Sequence, residues 1–130
     1  MVFEYNLRTE RTNFYNITSK VREAVTKSGI VNGICIVYCP HTTAGITINE
    51  NADPDVIRDM LSALKQMVPN LSYRHREGNS PAHILSTLIG CSITVPIEAR
   101  RLCLGTWQGI YLCEFDGPRQ RKVWIQLVGK

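Results

Sequence analysis

An α+β domain is the fold class the sequence predicts, and three observations predict it. Apolar, β-branched stretches of strand length recur along the chain, helical stretches with caps and amphipathic spacing interrupt them, and no repeat or linker divides the whole. At 130 residues the chain can bury a core without disulfide staples, so residues 1–130 read as one domain. With 44% hydrophobic and 20% charged residues it does not have a disordered composition.

Taken in order, FEYNLRT alternates apolar and polar residues, as a strand with one wet face does. ITSKVREAVTKSG then reads as a short amphipathic helix: Thr18 can cap it, Val21, Ala24 and Val25 share one face, and Gly29 supplies the stop. GICIVYC is continuously apolar, which predicts a strand covered on both faces at the centre of a sheet. After Pro40, the polar residues His41, Thr42 and Thr43 form a bend or bulge before GITIN resumes strand character.

Asp53 followed by Pro54 is a helix entry, and Val56, Ile57, Met60, Leu61 and Leu64 trace its apolar stripe up to a stop before Pro69. Asn70 to Asn79 is polar and loop-like. It delivers His75 and Glu77 to a third helix, capped by Ser80 and opened by Pro81, with His83 in its first turn. CSITVPIEA, RLCLGTW, GIYLCEFDG and RKVWIQLVG read as successive strands, with Asp116, Gly117 and Pro118 as a hairpin turn.

No apolar run approaches the roughly 20 residues that span a bilayer, and the first residues lack a basic segment followed by an apolar one. A cytoplasmic protein without membrane contact is expected. The five cysteines are odd in number and lie in or beside apolar stretches, so they read as buried small hydrophobes and not as disulfides or thiolate ligands. A net charge of +4 without a basic tail, stacked aromatic series or recognised motif argues against nucleic acid and suits a small anion.

The three histidines, His41, His75 and His83, all stand in polar segments at element ends, which points to one pocket holding a metal or an anion. Three imidazoles plus water would make an open metal site. The alternative chemistry is anion binding at the third helix's first turn, whose free amides and dipole face His83, with Arg74, Arg76 or Arg119 as a fork. Glu50, Glu77, Glu98, Glu114 and Asp116 are the carboxylates that could orient a ring or move a proton, and sequence does not rank them. Trp107 reads as core or interface filler.

The segments PHTTAGITINENADPDV, YRHREGNSPAHILSTLIG and GTWQGIYLCEFDGPRQRKVWIQLVG resemble the signature blocks of the YjbQ family, small bacterial and archaeal proteins also called secondary thiamine-phosphate synthases. The likeness covers nearly the whole chain. It implies two packed, mainly antiparallel sheets with flanking helices, assembled as a homotrimer. It also implies a pocket around His41, His75 and His83, with Glu77 and Asn79 nearby; in that pocket His41, His75, His83 and Glu77 are expected to be catalytic, Thr42, Thr43, Asn79, Ser80 and Arg119 to bind the ligand, and the histidines to hold zinc or magnesium, or the phosphate directly. The implied reaction joins a hydroxymethylpyrimidine pyrophosphate to a thiazole phosphate with loss of pyrophosphate. The same pocket would equally suit a metal-dependent hydrolase or a non-catalytic metabolite-binding trimer.

Overall fold

In a computed structural model describing residues 1–130, the chain folds as a two-sheet sandwich, with two helices behind the smaller sheet and one packed into the core between the sheets. The elements run β1 (Val2–Arg8), β2 (Asn13–Asn16), α1 (Thr18–Ser28), β3 (Gly33–Tyr38), β4 (Ala44–Glu50), α2 (Pro54–Met67), α3 (Ser80–Ile89), β5 (Ser92–Glu98), β6 (Arg101–Leu102), β7 (Gln108–Glu114) and β8 (Gln120–Gly129). One sheet has the order β1-β8-β3-β5-β6 and the other β2-β7-β4, and every pairing is antiparallel. No helix is long and apolar enough to cross a membrane.

Period-two alternation decides what faces what. Cys35 and Val37 on β3, Val95 and Ile97 on β5, and Val123, Ile125 and Leu127 on β8 point inward. There they meet Ala44 and Ile46 of β4 and Ile110 and Leu112 of β7 from the opposite sheet, and α1 adds Val21, Ala24 and Val25 to the same core. β3 does lie at the centre of its sheet, but its outer face is not covered: Ile34 and Tyr38 are exposed. The strand covered on both faces is β7, because Tyr111 and Cys113, with Phe115 just beyond, pack behind it in a second core against α2 and α3. A continuous apolar run marks both strands, and only the position of the helices distinguishes them.

The helix ends differ in detail from their sequence signals. Gly29 ends α1 in the left-handed conformation with φ 70°, and the Asp53 carboxylate caps α2 by accepting from the Asp55 amide at 2.9 Å. The cap position of α1 is Ile17, however, not Thr18. The Thr18 hydroxyl donates to Asn16 and accepts from the Ile110 amide, which ties the helix to β7. Asn79, not Ser80, is the cap position of α3.

One turn and two strands also differ from what local sequence implied. β2 went unread in the polar stretch RTNFYN because it is four residues long and shows only one buried side chain, Phe14. Asp116–Pro118 is no hairpin: β7 and β8 belong to different sheets, and this segment carries the chain from one to the other. RLCLGTW contributes only the two-residue β6 to a strand. Of the cysteines, Cys35, Cys39 and Cys113 are buried, whereas Cys91 and Cys103 are exposed.

α3 is strapped along β4 by close backbone contact. The Ile46 amide donates to the Gly90 carbonyl at 3.0 Å, and the Ser86 hydroxyl donates to the Ala44 carbonyl at 2.7 Å. A Cβ on Gly45 would stand 2.6 Å from the Gly90 carbonyl oxygen, so only glycine allows this approach. Gly45→Ala is accordingly expected to cost about 1–3 kcal/mol by overpacking. Denaturant unfolding measures this, and an unchanged midpoint would show that α3 is not held by this contact.

Candidate functional site

Three connections cross between the sheets at one end of the sandwich: β1 to β2, β3 to β4 and β7 to β8. They carry Thr9, the His41–Thr43 segment and the Asp116–Arg119 segment. One buried network ties them together. Arg121 lies in phase with the inward residues Val123, Ile125 and Leu127, and its Nε and Nη2 donate to the two Glu114 carboxylate oxygens at 2.7 and 2.5 Å. Nη2 also donates to the Thr43 hydroxyl at 2.8 Å and carbonyl at 3.2 Å. Glu114, fully buried, accepts further from the Thr9 hydroxyl at 2.6 Å and the Asp116 amide at 2.9 Å.

Above this network lies a cleft of about 420 Å³, lined by Pro40, His41, Thr42, Thr43, His75, Glu77, Asn79, His83, Asp116, Arg119 and Arg121. The three histidines therefore meet, as their placement at element ends predicted. Of the residues assigned to the pocket as catalytic, ligand-binding or metal-holding, only Ser80 is not part of the wall, being the first residue of α3; Arg74 and Arg76, the other candidate forks, do not line it either. Larger hollows of about 570 and 660 Å³ flank α2, but neither contains a histidine.

Each histidine has a distinct environment. His41, half-buried, accepts the Lys122 amide proton at Nε2 over 2.9 Å. A backbone amide can only donate, so Nε2 carries the lone pair and the neutral ring holds its proton on Nδ1. Burial, and then the charge of Arg121, pull the His41 pKa below its ordinary value and keep the ring neutral at pH 7. His75, exposed on the loop before α3, and His83 in the first turn of α3 stand edge to face, with ring centroids 5.6 Å apart.

The neighbouring polar groups are mostly committed. The Asn79 side chain donates to Asp116 Oδ2 at 2.9 Å, while its own Oδ1 is buried with no partner. Arg119 donates to the same Asp116 oxygen at 2.9 Å. Burial works to raise the Asp116 pKa, but the Asn79 and Arg119 hydrogen bonds outweigh it and hold the carboxyl below the usual range. Thr43 is spent on Arg121, leaving the exposed Thr42 hydroxyl as the free one.

Two expected chemistries meet obstacles here. The Ala82 and His83 amides both donate to the Asn79 carbonyl, so the first turn of α3 does not present them to an anion. Nor do the imidazoles form one ligand set: no group of three or more His, Cys, Asp or Glu side chains is arranged to hold a metal ion. Separately, the His41 Nε2 lone pair is taken by the Lys122 amide and its Nδ1 bears the proton. What the cleft offers is hydrogen-bond donation from a neutral imidazole and a guanidinium, beside an unengaged pair of histidines and Glu77.

Glu50 and Glu98 lie elsewhere, and Trp107 is 64% exposed, so it fills no core. The role of Arg121 was the main omission. Its signal was present in RKVWIQL, where alternation turns an arginine inward and so demands a buried carboxylate.

The family model "UPF0047 protein YjbQ-like" matches residues 3–130. UPF0047 protein YugU of Bacillus subtilis is 51% identical over 123 residues, covering 93% of each chain. A UPF0047 protein of Methanocaldococcus jannaschii is 47% identical over 131 residues, covering 99% of this chain and 95% of its own. Among solved structures, an uncharacterised YjbQ/UPF0047 protein from Clostridium acetobutylicum superposes with a TM-score of 0.94 at 54% identity, covering 97% of this chain and 99% of its own. A hypothetical protein from Aeropyrum pernix gives 0.94 at 36% identity, covering 100% and 99%.

The buried pair sets both a mutational and an acid-side expectation. Arg121→Met strands the Glu114 carboxylate and should cost about 3–5 kcal/mol, most of which is regained when Glu114→Leu is added. Burial raises the Glu114 pKa, but hydrogen bonds from Arg121, Thr9 and the Asp116 amide prevail and depress it below 4.5. A depressed folded value contributes stability that is complete above about 4.5 and lost as pH falls through the folded pKa. Unfolding measured from pH 6 to pH 3 should therefore show stability declining in the acid limb, and a flat profile would contradict the pairing.

Proposed function

The chain belongs to the YjbQ-like UPF0047 family, and on that premise we propose that the polar cleft is the catalytic site of an enzyme acting on phosphorylated small molecules. The reaction we assign is thiamine-phosphate synthesis: a thiazole phosphate nitrogen bonds to the methylene of a hydroxymethylpyrimidine pyrophosphate, and the carbon–oxygen bond to pyrophosphate breaks. One observation carries this reading. Every residue of the cleft wall except Pro40 is polar or charged, and the wall combines the neutral Nδ1–H donor of His41 with the Arg119 guanidinium, which suits a hydrated, highly charged leaving group. Donors held in place where negative charge develops stabilise the transition state at little reorganisation cost. His41, the guanidinium of Arg119 and the open hydroxyl of Thr42 would receive the departing pyrophosphate, while His75, His83 and Glu77 are free to move protons.

Pyrophosphate release with the two phosphorylated partners tests this. His83→Ala and Arg119→Ala should each lower turnover by about 10²–10³-fold without changing the melting temperature. A wild-type rate no faster than the uncatalysed one would reject the assignment.

A metal-dependent phosphate-ester hydrolase is a second reading, supported by the 5.6 Å approach of His75 and His83 beside Glu77, which carry no side-chain hydrogen bond. Zinc or magnesium bound in stoichiometric amount by the untagged protein and lost in His75→Ala, with hydrolysis of general phosphatase substrates, would put this reading in place of the first. Tight binding of a phosphorylated ligand without turnover would instead mark a non-catalytic binding protein.

We also propose that the protein works as a homotrimer. The outer face of the five-stranded sheet exposes Val2, Ile34, Tyr38, Trp124 and Val128, with the Tyr38 and Trp124 rings stacked at 5.9 Å. An apolar patch of this kind is characteristic of a face covered by another subunit. Sedimentation should give three times the 14.7 kDa chain mass, and Trp124→Glu should reduce it to one. A wild-type monomer at micromolar concentration would overturn the proposal.

A further inference from the structure

We propose that Cys39 and Cys91 are an oxidisable cross-strand dithiol, a modification site that takes a peroxide and closes to a reversible disulfide next to the Pro40–Thr43 segment that lines the polar cleft. The pairing register of β3 and β5 runs from Gly33 opposite Ile97 to Tyr38 opposite Ser92, and one more step sets Cys39 opposite Cys91. The ladder continues to that step, because the Cys39 amide donates to the Cys91 carbonyl at 2.7 Å. Directly opposed, hydrogen-bonded residues of an antiparallel pair stand about 5.5 Å apart at Cα and project to the same face, inside the roughly 4.4–6.8 Å that a disulfide spans.

The alternation agrees. Cys35, Val37 and Cys39 are all fully buried on the inner face of β3, while the inner face of β5 passes from buried Val95 through half-buried Ile93 to exposed Cys91. Cys91 is therefore the thiol a peroxide can reach, and Cys39 is the partner held behind it. Burial raises the Cys39 thiol to about 11, so it waits as a protonated resolving group and does not react first.

The chemistry balances in two steps. The Cys91 sulfur attacks one peroxide oxygen, breaking the O–O bond to give a sulfenic acid and water. The Cys39 sulfur then attacks the sulfenic sulfur, forming the S–S bond and expelling the hydroxyl, which leaves as water with the Cys39 proton. Two thiols are oxidised by two electrons and one peroxide is reduced to two waters. The Cys39 sulfur faces the His41 backbone amide, so drawing it toward Cys91 disturbs the segment that presents the His41 ring to the cleft.

Hydrogen peroxide treatment of the full chain, followed by non-reducing peptide mapping, tests this. A peptide joining Cys39 to Cys91, absent from the exposed-site variant Cys91→Ser and removed by dithiothreitol, is the expected result. The His41 imidazole resonances should shift on oxidation of the wild type and stay fixed in Cys91→Ser. Oxidation of Cys91 to sulfinic acid without a link, or a link from Cys39 to Cys113, would overturn the proposal. So would a 39–91 link that leaves the His41 resonances unmoved, as regards the effect on the cleft.

Discussion

The buried ion pair of Glu114 and Arg121 is the constraint around which the rest is arranged. A charge in the space between two sheets is tolerable only when paired and fully hydrogen-bonded, and this pair recruits its partners from three segments that cross between the sheets at that end. Thr9 from the first crossing, Thr43 from the second, and the Asp116 amide from the third all terminate on it. The network is thus both a structural knot and the floor of the cleft. Its guanidinium also lowers the basicity of the His41 ring.

The three histidines reach the cleft by independent routes. His41 arrives on a sheet-to-sheet crossing and is oriented by the Lys122 amide at the start of β8. His83 arrives on α3, whose position depends on the close approach of Gly45 to Gly90, and His75 arrives on the loop preceding it. Such a division separates roles. One ring is locked in a single neutral tautomer, and the other two carry no side-chain hydrogen bond. That distinction matters more to the chemistry than the number of histidines, because a ring whose acceptor nitrogen is engaged by a backbone amide serves as a donor and not as a ligand.

Part of this was legible in the residues. Gly29 and the Asp53-Pro54 pair act locally, within one turn of helix, so their signals carried over directly. The strand pattern of FEYNLRT likewise matched β1, because alternation is a property of single strands. Misreadings arose where a distant element competed for a residue. Thr18 was diverted from capping by Asn16 and the Ile110 amide, and Asp116–Pro118 read as a hairpin because turn chemistry does not reveal which sheet the next strand joins.

What the sequence by itself determined was the α+β class, most of the elements, and the assignment of His41, His75, His83, Glu77, Asn79 and Arg119 to one site. The class, the elements and the meeting of the three histidines follow from periodicity, capping and the clustering of polar residues at element ends, all of which are short-range; Glu77, Asn79 and Arg119 joined them only through the family resemblance. Only the tertiary structure decided that β7 and not β3 is covered on both faces, that Arg121 belongs under the cleft, and that His41 is a donor. Each of those depends on a partner far along the chain: α2 and α3 for β7, Glu114 and Thr43 for Arg121, and the Lys122 amide 81 residues from His41. Local pattern specifies which faces and ends are apolar or polar, whereas pairing across the sandwich decides which polar group meets which.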